Sequence, residues 1–417
     1  IISNMKKRFF MLAALVGVAA GTMAQKKGFD YTFYGQVRTD VFYNSRSNSE
    51  TVDGLFYMYP KDVNPDADGN DLNGKANNGF YVLYTRLGVD VKGPMLGKIK
   101  TSAKVEADFR GSGTSYSTVR IRHAYFNLAW NESALLVGQT WHPLYGDVAP
   151  DILNLNMGAP YQPFSRAPQI RYKFNTKHFG LTAAAIGQSQ YLSVGPSSDV
   201  PGATGTAKSQ SFLKNSLVPE FYVGVDYKAK GLIAGVGAHL TSMTPRTQSV
   251  YNDKTYEVSE RVTSVSAEAH VKYTHDLWLV AAKSVLGSNL TQTSTVGGYG
   301  ITATDERTGE QEYTPLRVSH TWINVMYGRK WRGGIFGGYL KNLGAKENVS
   351  GLIGTGTNID QLTTATAELT FNLPNWKFGA EYSWIAAWYG SNDAKGKVIN
   401  THQVDNHRIV LTALFQF

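Results

Sequence analysis

FYVLYTRLGVDVKGPMLGKIKTSAKVEADFR, residues 80–110, alternates apolar and polar side chains in two runs separated by a break. In the first run Tyr81, Leu83, Leu87, Val89 and Val91 fall on one face, with Arg86, Gly88, Asp90 and Lys92 on the other. Gly93-Pro94-Met95-Leu96-Gly97 interrupts the pattern. The second run then sets Ile99, Ala103, Val105, Ala107 and Phe109 against Lys100, Ser102, Lys104, Glu106, Asp108 and Arg110. Side chains alternate sides along a strand, so this is a β-hairpin with one greasy and one charged face. A soluble antiparallel sheet with one wet face has the same alternation. Each run is about a dozen residues, however, longer than the usual strand of about 5–6. A tilted membrane-spanning strand needs about 9–11.

The rest of the chain repeats the pattern. Candidate strands cover 31–43, 80–92, 99–110, 119–130, 134–142, 167–174, 179–189, 217–227, 232–241, 262–274, 277–286, 318–327, 334–341, 362–372, 376–389 and 407–417, sixteen in all. The face assignment slips within 119–130, and 334–341 is short. Seven short connections interleave with eight long polar ones, the longest early one being 44–79 and the last 390–406. Short periplasmic turns, longer extracellular loops and an even strand number are the layout of a transmembrane barrel. The expected fold class is therefore all-β: one antiparallel sixteen-stranded β-barrel. Aromatic residues gather near strand ends, at Trp130, Trp278, Trp376, Trp388 and Tyr389, where headgroups favour them.

Composition agrees. The chain has 417 residues, 42 glycines, 24 tyrosines and no cysteine. No linker or composition shift divides it. Residues 1–24 are expected to be a secretory signal peptide with upstream residues: Met5-Lys6-Lys7-Arg8, an apolar run over 9–20, and Thr22-Met23-Ala24 as the cleavage site. The single barrel then spans 25–417. Removing 1–24 takes Lys6, Lys7 and Arg8 and no acid, lowering the formal charge from +9 to +6. No later run of about 18 apolar residues exists, which excludes a helical inner-membrane protein. The basic residues are spread by strand alternation and not clustered on a binding motif, so nucleic acid is not an expected partner. Neither HExxH nor GxSxG occurs, and no catalytic role is expected.

Four segments resemble a known family: Tyr84-Thr85-Arg86-Leu87-Gly88-Val89-Asp90, Arg120-Ile121-Arg122-His123-Ala124-Tyr125, Leu136-Val137-Gly138-Gln139-Thr140-Trp141 and Pro168-Gln169-Ile170-Arg171-Tyr172. With the strand layout over 29–417, they resemble the trimeric sixteen-stranded porins of Gram-negative outer membranes, DcaP-like porins above all. The resemblance implies passive uptake of small, often anionic solutes, a homotrimer, and a third loop folded into the lumen. It also implies outer-membrane lipid and lipopolysaccharide as surroundings. The last strand ends on Phe417 and is similar to the terminal aromatic signature read by the outer-membrane assembly machinery.

Strand parity places Arg38, Arg86, Lys100, Lys104, Arg110, Arg120, Arg122, Arg171 and Lys173 on the lumen side, partly neutralised by Asp40, Asp90, Glu106 and Asp108. Charge on a lipid face would cost about 2–4 kcal/mol at mid-bilayer, and rings of Arg and Lys favour anions. The third loop, about 143–166, has four prolines, and its Asp147 and Asp151 are expected to face this basic wall. Asn64, Asp66, Asp68 and Gly69 in the first loop follow the first, third, fifth and sixth positions of a calcium loop, although Lys75 stands where a bidentate Glu is needed. The expected function is passive diffusion of small hydrophilic solutes across the outer membrane with a modest preference for anions. The alternative is a substrate-binding or adhesin-type barrel without open-pore transport. Phe417→Ser is expected to lower the amount of assembled barrel while leaving export intact; unchanged surface levels after membrane fractionation would place the assembly signal elsewhere.

Overall fold

An apolar face turned to lipid leaves a sheet no open edge, because an unpaired backbone group in hydrocarbon costs several kcal/mol. The computed structural model describes residues 28–51, 56–111 and 118–417. The leader expected over 1–24 lies outside the described residues. The chain closes into sixteen antiparallel strands: β1 (Asp30–Asn44), β2 in two segments (Asn77–Tyr81 and Arg86–Lys92), β3 (Lys100–Asp108), β4 (Arg120–Trp130), β5 (Ser133–Trp141), β6 (Arg166–Asn175), β7 (Phe179–Ile186), β8 (Glu220–Ala229), β9 (Leu232–Met243), β10 (Val262–His275), β11 (Trp278–Ser288), β12 (Arg317–Gly328), β13 (Trp331–Gly344), β14 (Ile359–Leu373), β15 (Trp376–Asn392) and β16 (Val398–Gln416). Each pairs with the next in sequence. β16 pairs back on β1, from Gln36 opposite Gln416 to Asn44 opposite Arg408. Gly35 N–H donates to Phe417 O at 2.8 Å and Phe417 N–H to Gly35 O at 3.1 Å, so both ends of the barrel meet at the short-turn rim. Among the described residues no helix is long and apolar enough to cross a membrane.

The short turns use residues that tolerate left-handed backbone. Asn131 (φ 46°), Asp276 (φ 49°) and Asn375 (φ 65°) occupy three of them, and Lys230-Gly231 a fourth. Immediately beyond these turns, aromatic rings pair across strands on the outer face. Trp278 meets Tyr327 at 4.6 Å, Trp331 meets Phe371 at 4.6 Å and Trp376 meets Phe415 at 4.7 Å. They form a girdle at headgroup level. Above it the outer face is aliphatic, with Val37, Val105, Val223, Val265, Ile335 and Leu411 all exposed. Tyr389, expected in an aromatic girdle, turns inward instead and donates its hydroxyl to Pro60 O at 2.7 Å.

Two irregularities correct the face assignments. Between its two segments β2 makes a turn, Thr85 N–H donating to Val82 O at 3.0 Å. Asp40 pairs with Tyr81 above the turn and Gln36 with Arg86 below it, so β2 carries one residue more than β1. Parity therefore flips: Phe80 and Val82 face lipid, while Tyr81 and Leu83, expected outside, pack on the buried Phe42, Leu155 and Val410. The slip in β4 is a β-bulge. Glu106 pairs with His123 and Ala107 with Ile121, leaving Arg122 as the extra residue. Arg122 and His123 are thus both buried on the lumen side.

The long-loop rim is more ordered than its composition indicates. Asn48–Thr51 pairs with Phe56–Pro60, Val194–Pro196 with Thr206–Lys208, and Gln248–Tyr251 with Lys254–Glu257. Gly297–Thr304 joins Gln311–Pro315 and Gly351–Thr355 in a three-stranded sheet. β15 and β16 overrun the expected loop at 390–406, so that only 393–397 connect them. Beyond the bilayer a strand has no lipid face and need not alternate, so hydropathy cannot mark its end. Gly138 in β5 has φ +130°, and a Cβ there would lie 2.6 Å from Tyr125 Cα. Gly138→Ala is expected to destabilise the barrel by about 1–3 kcal/mol, read as a lower urea midpoint with the fold retained; an unchanged midpoint would show that β4 and β5 can part there.

Candidate functional site

The third loop, expected over about 143–166, runs inside the barrel. Its apolar side chains choose the wall. Tyr145, Val148, Tyr161 and Phe164 pack with Trp322, Phe336, Leu340 and Leu362 of β12–β14, and Leu144 packs with Ile186, Tyr222 and Val285. This burial replaces water on both surfaces and is the main reason the loop lies inward. Polar groups then fix its path. Lys283 Nζ donates to Leu144 O at 2.8 Å and Tyr145 O at 2.9 Å. Trp322 Nε1 donates to Gln162 Oε1 at 2.7 Å. At the far side Leu153 N–H donates to Glu368 at 2.8 Å and Asn154 N–H to Glu381 at 3.0 Å, while Arg38 donates to Leu153 O at 2.5 Å. Asp151 pairs with Arg332 at 2.5 Å and Asp147 with Lys173 at 3.4 Å.

Opposite that packed wall stands a basic cluster on β1–β4 and the start of β6. Arg38 pairs with Asp40 at 2.8 Å. Arg120 and Arg122 share Asp108 at 2.6 and 2.8 Å, and Arg122 also reaches Glu106 at 2.5 Å. Arg86 lies 3.6 Å from Glu106. Four of these guanidiniums, from Arg38, Arg86, Arg110 and Arg122, lie 4.6–5.5 Å from the Tyr84 ring centroid. The inward turn in β2 is what delivers Tyr84 there. Arg110 and Arg166 differ from the others: among the described residues neither has a carboxylate within ion-pair distance. Arg110 is 2 % exposed and Arg166 0 %, and both leave Nε without a partner. Arg166 stacks 4.5 Å over Trp141 and donates to the Tyr191 hydroxyl at 3.2 Å. Six guanidiniums thus face three carboxylates. Above them a cavity of about 830 Å³ is lined by Arg110, Arg120, Tyr191, Gln139, Gln190 and Phe56, among others.

The structure brings together Arg38, Arg86, Arg110, Arg120 and Arg122, all named from parity. It places the other named residues away from the cluster. Lys104 pairs with Asp90 at 2.9 Å, and Arg171 donates to Gln169 Oε1 at 2.8 Å. Lys100 is exposed at the short-turn rim opposite Ala129. Tyr84 and Arg166 were missed. Tyr84 precedes a parity flip that a strand pattern hides, and Arg166 sits at the junction of loop and strand, where parity has no phase. Asn64, Asp66 and Asp68 lie at an exposed first-loop tip. Asp66 Oδ1 accepts from Asp68 N–H at 2.9 Å and Asn70 N–H at 2.8 Å, and the Asn70 amide holds this carboxyl below its ordinary range. Asp71 pairs with Arg46 at 2.7 Å. Phe417 closes β16 against Gly35, where a Cβ would come 2.6 Å from its ring.

A closed sixteen-stranded barrel with an aliphatic belt, an aromatic girdle and an inward third loop defines a porin-fold protein of the outer membrane. The model of the family described as DcaP outer membrane protein matches residues 22–212. The chain is similar to the outer membrane channel DcaP of Acinetobacter baumannii: TM-score 0.66, 18 % identity, covering 94 % of this chain and 99 % of that one. It is similar also to OmpT of Vibrio cholerae in its trimer form (TM-score 0.54, 13 % identity, 94 % and 100 % covered) and to Salmonella typhi OmpF in complex with daunomycin (0.51, 12 %, 94 % and 98 %). Among curated proteins no sequence matches. The protein is thus an outer-membrane porin-fold barrel similar to DcaP-type channels, located in the cell outer membrane.

Lys283 anchors the root of the loop, so Lys283→Met removes two hydrogen bonds and the ion pair to Glu268, 3.3 Å away, which keeps only the Tyr222 hydroxyl and His270. A loss of about 1–3 kcal/mol is expected, read by equilibrium urea unfolding. Stability equal to the wild type would show that apolar packing alone holds the loop.

Proposed function

We propose that this protein is a passive diffusion channel for small hydrophilic solutes with a modest preference for anions, working as a homotrimer. The observation that carries the preference is a pair of guanidiniums buried without an acidic partner: Arg110, which lines a cavity of about 830 Å³, and Arg166, whose hydrogen-bond partner Tyr191 lines the same cavity. A buried unpaired cation is expensive, and an entering anion relieves that cost. A low-dielectric cleft with an excess of one sign, here Arg110, Arg120 and Lys208 against Glu50, also concentrates counter-ions, and guanidinium forks match carboxylate and phosphate oxygens with two parallel hydrogen bonds. The likeness to the A. baumannii channel supports the pore, and the trimer form of V. cholerae OmpT supports the assembly. The outer face suits outer-membrane lipid and lipopolysaccharide. The exposed first-loop carboxylates are the place for weak calcium binding, if the barrel uses any cofactor.

Arg120 and Arg122 are poor positions for a test, because removing them takes both ion-pair partners from the buried Asp108. Arg110→Gln with Arg166→Gln keeps Asp108 and Glu106 paired. In planar bilayers under a salt gradient this double variant is expected to shift the reversal potential toward cations, most at low salt where screening is weakest. A cation-selective wild type, or an unshifted variant, overturns the anion preference. Absence of any conductance from the folded wild type favours the binding or adhesin reading.

A further inference from the structure

Away from the arginine cluster, four segments converge on one buried carboxylate. His142 opens the third loop, Glu220 begins β8, His239 lies on β9, and Gln292 comes from the loop between β11 and β12. Each is 1 % exposed. Glu220 Oε2 lies 2.7 Å from His239 Nε2, 3.6 Å from His142 Nε2 and 2.9 Å from Gln292 Nε2, and Gln188 Nε2 donates to Oε1 at 2.7 Å. Around this carboxylate three buried atoms have no hydrogen-bond partner: His142 Nε2, His239 Nδ1 and Gln292 Oε1. Buried polar groups are nearly always satisfied, and a group of orphans at one point signals a missing ion or water.

We propose that His142, Glu220 and His239 form a binding site for a divalent transition-metal ion of the zinc type. Two imidazoles and a carboxylate are a zinc donor set, whereas calcium and magnesium take oxygen ligands. The three donor atoms lie within 4.8 Å of one another. Zinc bonds of about 2.0–2.2 Å in a tetrahedron place donors about 3.3–3.5 Å apart. The His142 to Glu220 spacing of 3.6 Å already fits, and the 2.7 Å His239 contact opens once its bridging proton leaves. Gln292 supplies the fourth donor if its amide turns Oε1 inward, which also satisfies that orphan atom.

The proton bookkeeping closes within the site. The proton on His239 Nε2 moves to Nδ1, which now has no partner. The neutral ring of His142 likewise shifts its proton to Nδ1, and this shift has a structural cost. Nδ1 now accepts Leu144 N–H at 3.1 Å, and that bond is lost on loading. Leu144 is the third residue of the inward loop. The ion therefore ties the loop root to β8 and β9 through His142 while freeing the Leu144 amide. The metal site is independent of the diffusion reading, since binding is measured without conduction.

The test is titration of the folded, detergent-solubilised barrel with zinc and with cobalt(II). One equivalent per chain, with visible cobalt absorption of a nitrogen-containing four- or five-coordinate site, is expected. His142→Gln and His239→Gln should each weaken binding by more than about tenfold, since even outer-shell losses typically cost about 10–100-fold. His178→Gln, on an exposed short turn, should leave it unchanged, and calcium should not displace the ion. A wild type without cobalt bands at one equivalent overturns the proposal without recourse to any variant. So does undiminished binding in both folded histidine variants, or displacement by calcium, which would move the ion to the exposed carboxylates of the first loop.

Discussion

Backbone pairing in lipid is the constraint from which this structure follows. Every strand must find two neighbours, so β16 returns to β1 and its last residue bonds Gly35. Closure then divides each strand into an outer and an inner face. The outer face answers to hydrocarbon and headgroups. The inner face is free of that demand, and the chain uses its freedom differently on the two sides of the lumen.

On β11–β14 the inner face carries an apolar patch among polar residues. Trp322, Phe336, Leu340 and Leu362 are buried there, and the third loop covers them as a core would. On β1–β4 the inner face is charged, and the loop tip meets it where Arg38 donates to Leu153 O, while the Leu153 and Asn154 amides bond the carboxylates of β14 and β15. The loop thus leaves Arg110 and Arg120 at the edge of the cavity, although Arg38, Arg110, Arg122 and Arg166 are themselves buried. Lys283 performs the same service at the root of the loop with its ammonium group. The first loop contributes too: its Phe56 meets Phe164 at 5.0 Å, and Asn156 donates to Tyr57 O at 3.1 Å.

The charge imbalance comes from pairing, not from composition. Arg120 and Arg122 compete for Asp108, and Arg86 and Arg122 for Glu106. Most of the field of these cations is spent on their partners. Arg110 and Arg166 keep theirs. Counting bases against acids along the strands shows an excess but cannot say which side chains hold it.

Alternation alone determined the barrel, its strand number, the two rims and the inward direction of Arg38, Arg86, Arg110 and Arg120, because a period of two is a local property of the chain. The inward loop could be anticipated through its likeness to porins, and a further sign lay unread in the apolar patch on the inner faces of β12 and β13. What parity could not reach were events that change its phase. The extra residue in β2 swings Tyr84 among the arginines, and the bulge at Arg122 turns two successive side chains inward. Both depend on the partner strand. The meeting of His142 with Glu220 and His239, and of Arg166 with Trp141, joins residues far apart in the chain or at a loop junction. Only closure of the sheet, with the loop folded through it, brings those groups within reach of one another.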